Sequence, residues 1–334
     1  MAKKTVALVG SETLLGREVR DFIRGADLPV EVVAIAAEEG DTRIVAALDS
    51  EAVVLVDLQS PQMADAAIVV LCGPEKSSHR ALELLRKAGS DAQIVDATGA
   101  LEDEPAALLR APLAIPETIE RTAGAIDVIA QPAAIALAMF FARLSEAGRV
   151  VRSIVTVFEP ASERGQRGIG ELQQQTVGLL SLKPLTKDVY DAQVSFNMLA
   201  AWGEDAPGSL HEIEERVERN LATLLGRGTH VLLPSLRLIQ APVFHGYSIS
   251  VWAEFENAPD PDAISTRLAS SGVDVRPSDL DPPSNVGMAG QGGIAVGAIA
   301  VDRNNPRAAW FWLVADNLRI VAENCAEVIR ELVQ

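Results

Sequence analysis

The chain has 334 residues, 48% of them hydrophobic and 22% charged, values typical of a globular protein long enough for two domains. The formal net charge of −17 argues against nucleic acid and anionic membrane surfaces as main partners, since both require clustered Lys and Arg. Two cysteines are too few for a disulfide framework, and the four histidines have no metal-ligand spacing. No apolar run is long enough to cross a membrane. We therefore expect a cytoplasmic protein without a metal site.

The N-terminal part alternates strand patterns with helical patterns. A continuous apolar run from Thr5 to Val9 ends in Gly10, and a helix is predicted from Leu14 to Gly25. Regular alternation of this kind predicts a Rossmann-like, doubly wound parallel sheet. Further strands are predicted at Glu31–Ala36, Val53–Leu58, Ile68–Cys72 and Gln93–Asp96, with helices at about Ser60–Ala66 and Glu75–Ala88.

The turn after the first strand is a candidate dinucleotide site. Such turns usually carry three glycines, whereas here Gly10 and Gly16 flank Thr13, whose Cβ stands where the backbone approaches a pyrophosphate. Glu38 and Glu39 follow the second strand, and either acidic residue would favour NAD over NADP there. Gly73 closes another strand at its carboxyl end, where these folds bind ligands. Two readings stay open: an NAD(P) site with NAD favoured, or a plain strand–helix turn that binds neither.

The stretch from Asp127 to Val150 has the geometry of an active site. It predicts a short strand to Ala130, a turn at Gln131-Pro132 and a helix of four turns. A helix start of this kind favours an anion or a thiolate. Its first residues are Ala133, Ala134, Ile135 and Ala136, and none of these is a nucleophile, an acid or a base.

The second half mixes strand and helix patterns from Val151 onward, which predicts an α+β domain with a largely antiparallel sheet. The last stretch, Asp316 to Gln334, is an amphipathic helix that we expect to return to the first domain. We therefore predict a dinucleotide-binding domain at 1–130, completed by 316–334, and a substrate and dimerisation domain at 131–315.

Seven motifs follow one another in a fixed order along the chain. They are VALVGSETLLGREV, VLCGPEKSS, IVDATGALEDEP, IPE, SFNML, APVFHGYS and DNLRIVAENCAEVIREL. With these motifs the chain resembles the aspartate-semialdehyde dehydrogenase family over nearly its whole length and is most similar to the divergent Usg-type branch. The resemblance implies a homodimer, an NAD(P)-binding Rossmann domain and a role in amino-acid biosynthesis.

The resemblance also implies a covalent mechanism whose residues this chain lacks. The family's nucleophilic cysteine falls at Ala134, and its substrate-binding glutamine at Glu159. Its arginine falls at Gln240 and its catalytic histidine at Tyr247. His245, two residues earlier, is a candidate substitute, and Tyr247 itself is a candidate proton donor. No catalytic position of the family is intact.

Three functions remain open for such a chain. The first is a dimeric binding or regulatory protein that is inactive in the family reaction. The second is an NAD(P)-dependent oxidoreductase that acts on an aldehyde or oxo group without a covalent cysteine intermediate. The third is an interaction protein, for example a partner of an active paralogue.

Overall fold

The computed structural model describes residues 3–37, 43–46, 52–116, 121–122, 124–227 and 231–334. The chain divides into two compact units. Unit 1 comprises Met1–Pro112, Pro116–Gln131 and Val321–Gln334, and unit 2 comprises Leu113–Ile115 and Pro132–Ile320. The division near the C-terminus falls inside the last helix, a few residues beyond the predicted boundary at 316.

Unit 1 is built on a six-stranded sheet with the order β2-β1-β5-β6-β8-β7. Every pair of neighbouring strands is parallel. Val6–Val9 and Ile68–Leu71 are buried on both faces, as the central strands of a parallel sheet require. The predicted doubly wound sheet is confirmed. Its strands are β1 Lys4–Val9, β2 Val30–Ile35, β5 Ile68–Leu71, β6 Gln93–Asp96, β7 Ala107–Arg110 and β8 Ile126–Ile129.

Two strands lie outside this sheet, which differs from the sequence prediction. β3 Arg43–Ala46 and β4 Ala52–Leu55 form a separate antiparallel pair. The predicted strand at Val53–Leu58 therefore ends at Leu55, and beyond it only Val56 pairs with the parallel sheet, in a single parallel bridge to Ile35. The apolar pattern of this segment fits a strand of a two-stranded antiparallel ribbon as well as a strand of the parallel sheet. The sequence alone therefore did not distinguish between the two.

Four helices belong wholly or partly to unit 1. Thr13 caps the first helix by accepting the Gly16 N–H, and Gly89 ends the third with a φ of +64°. The end of the last helix is tied down by Glu331, whose carboxylate accepts from the buried Arg110 at 2.7 Å and from Arg121 at 2.8 Å. The helices are α1 Leu14–Gly25, α2 Pro61–Ala64, α3 Glu75–Ala88 and α9 Asn317–Val333.

Unit 2 contains a second six-stranded sheet with the order β10-β9-β11-β14-β13-β12. The β9–β11, β11–β14 and β13–β14 pairs are antiparallel, whereas the two outermost pairs are parallel. The predicted α+β architecture is confirmed. Its strands are β9 Val150–Glu159, β10 Ser235–Gln240, β11 Tyr247–Phe255, β12 Val273–Val275, β13 Ile294–Val301 and β14 Ala308–Ala315.

Helix α4, Pro132–Ala147, is the core helix of unit 2. It begins at Pro132 as predicted, and it is apolar on nearly every face, as a helix enclosed by other elements must be. Phe140 packs on Phe311 of the sheet with ring centroids 5.2 Å apart. The other helices are α5 Gly165–Leu180, α6 Leu210–Leu225, α7 Pro261–Leu268 and α8 Asn285–Met288, with a 3-10 turn at Ala161–Arg164. Within the described ranges, no helix has the length and apolar character that a membrane crossing needs.

Candidate functional site

Three of the predicted site residues lie at one edge of the unit 2 sheet. Strands β10 and β9 are parallel, and their register places Gln240 opposite Glu159, the last residue of each strand. Strand β11 runs antiparallel to β9 and begins at Tyr247, beside the Ser248–Phe158 pair. All three side chains are fully buried. The topology therefore gathers Glu159, Gln240 and Tyr247 on three adjacent strands.

Helix α4 begins at the same end of the layer. Only Gly148 and Arg149 connect it to β9, so the helix and the strand run in opposite directions, and the first turn of α4 lies where β9 ends. Ala134 stands in that first turn and is fully buried. Its methyl group has no lone pair and no ionisable proton, so it supplies no chemistry at this position.

Glu159 is the most unusual group at this edge. Among the described residues, neither of its carboxylate oxygens has a hydrogen-bond partner. The nearest cation is Arg164, whose Nη2 lies 3.6 Å from Oε1, beyond hydrogen-bonding distance. Burial raises the pKa of Glu159 to about 8, with a smaller opposing effect from Arg164 and a further increase from Glu163. The carboxyl group is therefore mostly protonated at neutral pH.

A second carboxylate, Glu163, organises the neighbouring polar groups. Asn317 Nδ2 donates to Glu163 Oε1 at 2.7 Å, and the Tyr247 hydroxyl donates to the same carboxylate. The Asn317 side-chain oxygen in turn accepts from Ser162 Oγ at 3.0 Å. Burial raises the pKa of Glu163, and Arg164 and Asn317 oppose this more weakly. Tyr247 thus already donates its hydroxyl proton within the protein.

Arg164 links the two carboxylates to an aromatic pair. Its guanidinium lies over the Trp202 ring at 5.3 Å, and Trp202 packs edge-on against Tyr190. Burial raises the pKa of Tyr190 above its ordinary value. The Arg164 side chain is 30% exposed, whereas that of Glu159 is 0% exposed. The cation therefore stands between the buried acid and solvent.

Sequence reasoning missed Glu163, Arg164 and Asn317. Glu163 and Arg164 form a charged pair directly after a strand that ends in an inward-facing glutamate, and Asn317 opens the last helix. That juxtaposition is visible in the sequence, but the contact between residues 163 and 317 depends on the fold.

His245, the candidate substitute base, does not share the environment of Tyr247. Strand β11 starts only at Tyr247, and Gly246 has a φ of +80°, so strand alternation does not relate the two residues. His245 is exposed, whereas Tyr247 is buried. The left-handed glycine interrupts the extended backbone between the two residues.

The glycine turn of unit 1 keeps the close backbone approaches expected of a nucleotide-binding turn. Gly10 has a φ of +79°, and a Cβ there would lie 2.5 Å from the Gly73 nitrogen. A Cβ at Gly16 would lie 2.1 Å from the Gly10 oxygen. Each of these three positions lacks room for a side chain, so the predicted glycines meet at the carboxyl ends of β1 and β5.

Side chains of the turn accept one backbone N–H of the turn itself and one that follows β2. Thr13 Oγ1 accepts the Gly16 N–H at 2.9 Å and donates to the Cys72 carbonyl. Glu12 Oε1 accepts the backbone N–H of Ala37 at 2.9 Å, and Ala37 lies two residues after the end of β2. Glu12 was not predicted as a site residue, although it is an acid inside the glycine motif. Glu38 and Glu39, which were predicted, lie outside the described residues.

The cysteines of unit 1 are not activated nucleophiles. Cys72 and Cys325 are free and buried. Burial raises the pKa of both thiols, Cys325 raises that of Cys72 further, and the charge of Asp96 acts in the same direction on both. In the described part of the chain, no three His, Cys, Asp or Glu side chains are grouped to hold a metal ion.

Both the sequence and the fold of this chain match known proteins of one class. Residues 141–320 match the family described as semialdehyde dehydrogenase, dimerisation domain. The chain superimposes on the structure of a probable aspartate-semialdehyde dehydrogenase from Pseudomonas aeruginosa with a TM-score of 0.85 and 25% identity, covering 99% of this chain and 98% of that one. The two-unit fold and the matched domain define a semialdehyde dehydrogenase-type protein.

The relatives place the chain within that class. It is 30% identical to a USG-1 protein homolog from Pseudomonas aeruginosa over 98% of this chain and 96% of the relative. It is 26% identical to an aspartate-semialdehyde dehydrogenase from Prochlorococcus marinus over 98% of this chain and 95% of that relative. The chain belongs to the aspartate-semialdehyde dehydrogenase family.

Proposed function

We propose that this protein is a dimeric binding or regulatory member of its family that does not catalyse the family reaction. The observation that carries the proposal is Ala134, a buried methyl group at the position where the resemblance implies a thiolate. Covalent catalysis needs a nucleophile that can form and release a bond to the substrate carbon. The buried thiols Cys72 and Cys325 belong to unit 1 and have raised pKa values, so they are poor replacements.

The residues around Ala134 support the same proposal. Gln240 stands where an arginine would bind an anion, and its Nε2 donates to the backbone oxygen of Glu159 at 2.9 Å. A neutral amide cannot provide the charged fork with which arginine binds phosphates and carboxylates. Tyr247 stands where the resemblance implies a histidine that exchanges protons, and its hydroxyl donates a hydrogen bond to Glu163. Nucleophile, anion clamp and base are replaced together.

We propose a homodimer that forms through the outer face of the unit 2 sheet. The register aligns Ile154, Trp252 and Trp310 across three strands, and Ile154 and Trp310 are each about half exposed. A row of large apolar side chains on one sheet face favours burial against another protein. Trp310→Glu should convert the dimer into monomers in sedimentation experiments. A variant that remains dimeric at micromolar concentration would place the interface elsewhere.

For the cofactor, we propose a weak dinucleotide site that favours NAD over NADP. The resemblance implies an NAD(P)-binding Rossmann domain, and Gly10 and Gly73 keep the turn free of side chains, as the glycines of such domains do. Thr13 removes one helix-start donor, which should weaken phosphate binding. Glu12 places a carboxylate beside Ala37, where it repels a 2′-phosphate. Calorimetry with both dinucleotides tests this preference, and tighter NADP binding would contradict it.

The alternative is a noncovalent oxidoreductase, and one observation favours it. Glu159 is a buried acid that carries a proton at neutral pH, as a proton donor to a carbonyl group would. Incubation with NADH and a panel of small aldehydes separates the two functions. The proposed function predicts no NADH oxidation above a blank, and turnover that is lost in Glu159→Gln would establish the alternative.

A further inference from the structure

A cavity beside strand β2 in unit 1 is not part of the glycine turn. Its volume is about 580 Å³, within the range of small-molecule sites. Its described walls come from α1, β2 and β4 and are mostly apolar, with Ile23, Val32 and Val53 among them. None of the described lining residues belongs to the turn from Gly10 to Gly16.

Arg20 is the central polar group of this cavity. It lies on the buried face of α1, and its side chain is only 7% exposed. Within the described residues, its guanidinium makes one hydrogen bond, from Nε to Asp21 at 3.3 Å. Its terminal nitrogens carry further N–H donors with which it can meet a ligand in the cavity.

The charge of the lining contrasts with that of the whole chain. Lys3 and Arg24 line the cavity together with Arg20, against Asp27 as the only described carboxylate of the lining. The chain as a whole has a formal charge of −17. Three cationic side chains against one carboxylate in the described lining give the cavity a positive potential, which the ion pair between Arg20 and Asp21 reduces.

We propose that this cavity binds a small amphipathic carboxylate. The planar fork of Arg20 matches a carboxylate in two parallel hydrogen bonds. The apolar walls accept a short hydrocarbon body, and Lys3 and Arg24 strengthen the attraction for an anion. The site is independent of the proposed function, because it involves neither the unit 2 sheet edge nor the glycine turn.

Calorimetric titration of the full chain with hexanoate, acetate and hexanamide tests the site. Hexanoate should bind with one-to-one stoichiometry and at least about tenfold more tightly than acetate or hexanamide, because only hexanoate has both the charge and the apolar body. Arg20→Met should weaken hexanoate binding about tenfold. Arg17→Met, on the same helix but outside the lining, should leave it within about twofold.

Equal affinity for hexanoate and hexanamide would overturn the proposal, as would unchanged binding by Arg20→Met. Circular dichroism establishes that each variant is folded. If Arg20→Met does not fold, Val53→Trp provides the decisive measurement, since it fills the cavity and keeps every charge. Loss of hexanoate binding by Val53→Trp supports the site, and retained binding overturns it.

Discussion

The glycine turn of unit 1 and the sheet edge of unit 2 have departed from the family pattern in different ways. In the turn, Gly10, Gly16 and Gly73 remain, and the changes are confined to side chains such as Thr13. At the edge, the strands still bring Glu159 and Tyr247 together, but the reactive groups that the resemblance implies are absent. Folding itself requires the glycines, whereas only the reaction requires the thiol. We propose that residues needed for packing have been kept while residues needed for chemistry have been replaced.

The largest expected effect tests the packing side of this comparison. Gly10→Ala should lower the free energy of unfolding by about 3 kcal/mol or more, because a methyl group would lie 2.5 Å from the Gly73 nitrogen at a left-handed φ. Urea unfolding followed by circular dichroism measures the change. Gly25→Ala is the matched control, since a Cβ there meets nothing within 4 Å. Equal effects of the two variants would contradict the packing requirement at Gly10.

The next effect concerns the buried acid at the sheet edge. Burial raises the pKa of Glu159 from 4.5 to about 8, so between these values the folded state binds more protons than the unfolded state. The contribution of Glu159 to stability is therefore complete below pH 4.5 and is lost as the pH rises towards 8. Glu159→Gln removes this loss. We expect the variant to be about 2–3 kcal/mol more stable than the wild type near pH 6.5, and nearly equal to it near pH 4.5.

Urea titrations at several pH values measure this difference, with the exposed Glu212→Gln as control. A stability gap that does not shrink towards acid pH would show that folding leaves the pKa of Glu159 unchanged, so that the group is ionised at neutral pH. In that case the sheet edge would hold an ionised Glu159 paired with Arg164 rather than a protonated buried acid.

The sequence predicted the architecture better than it predicted the polar contacts. Continuous apolar runs such as Val6–Val9 identify central strands of a parallel sheet, because these strands are buried on both faces and every residue is therefore apolar. The Val53–Leu58 pattern failed because the same residues fit a separate antiparallel ribbon. The link between Glu163 and Asn317 spans about half the chain, so no local pattern contains it. Register and loop conformation decide such contacts.

A smaller effect distinguishes two buried tyrosines near the edge. Tyr247→Phe should destabilise the protein by about 1–2 kcal/mol, because Glu163 loses a charged hydrogen bond. Tyr190→Phe should have less effect, since the Tyr190 hydroxyl lies 3.5 Å from the Ala161 oxygen, at the limit of hydrogen bonding. Thermal unfolding of both variants at neutral pH provides the measurement. A larger loss of stability in Tyr190→Phe than in Tyr247→Phe would contradict the hydrogen bond from Tyr247 to Glu163.

The central claim is that the chemistry of the sheet edge was lost as a unit while the scaffold was kept. Its most direct test is the phosphate-dependent oxidation of aspartate semialdehyde by Ala134→Cys, purified from a host that lacks its own enzyme. Thiol titration of the unfolded variant verifies that it has one more cysteine than the wild type. We predict that neither the wild type nor Ala134→Cys reduces NAD or NADP above a blank, because Glu159, Gln240 and Tyr247 remain. Turnover restored by Ala134→Cys alone would contradict the account.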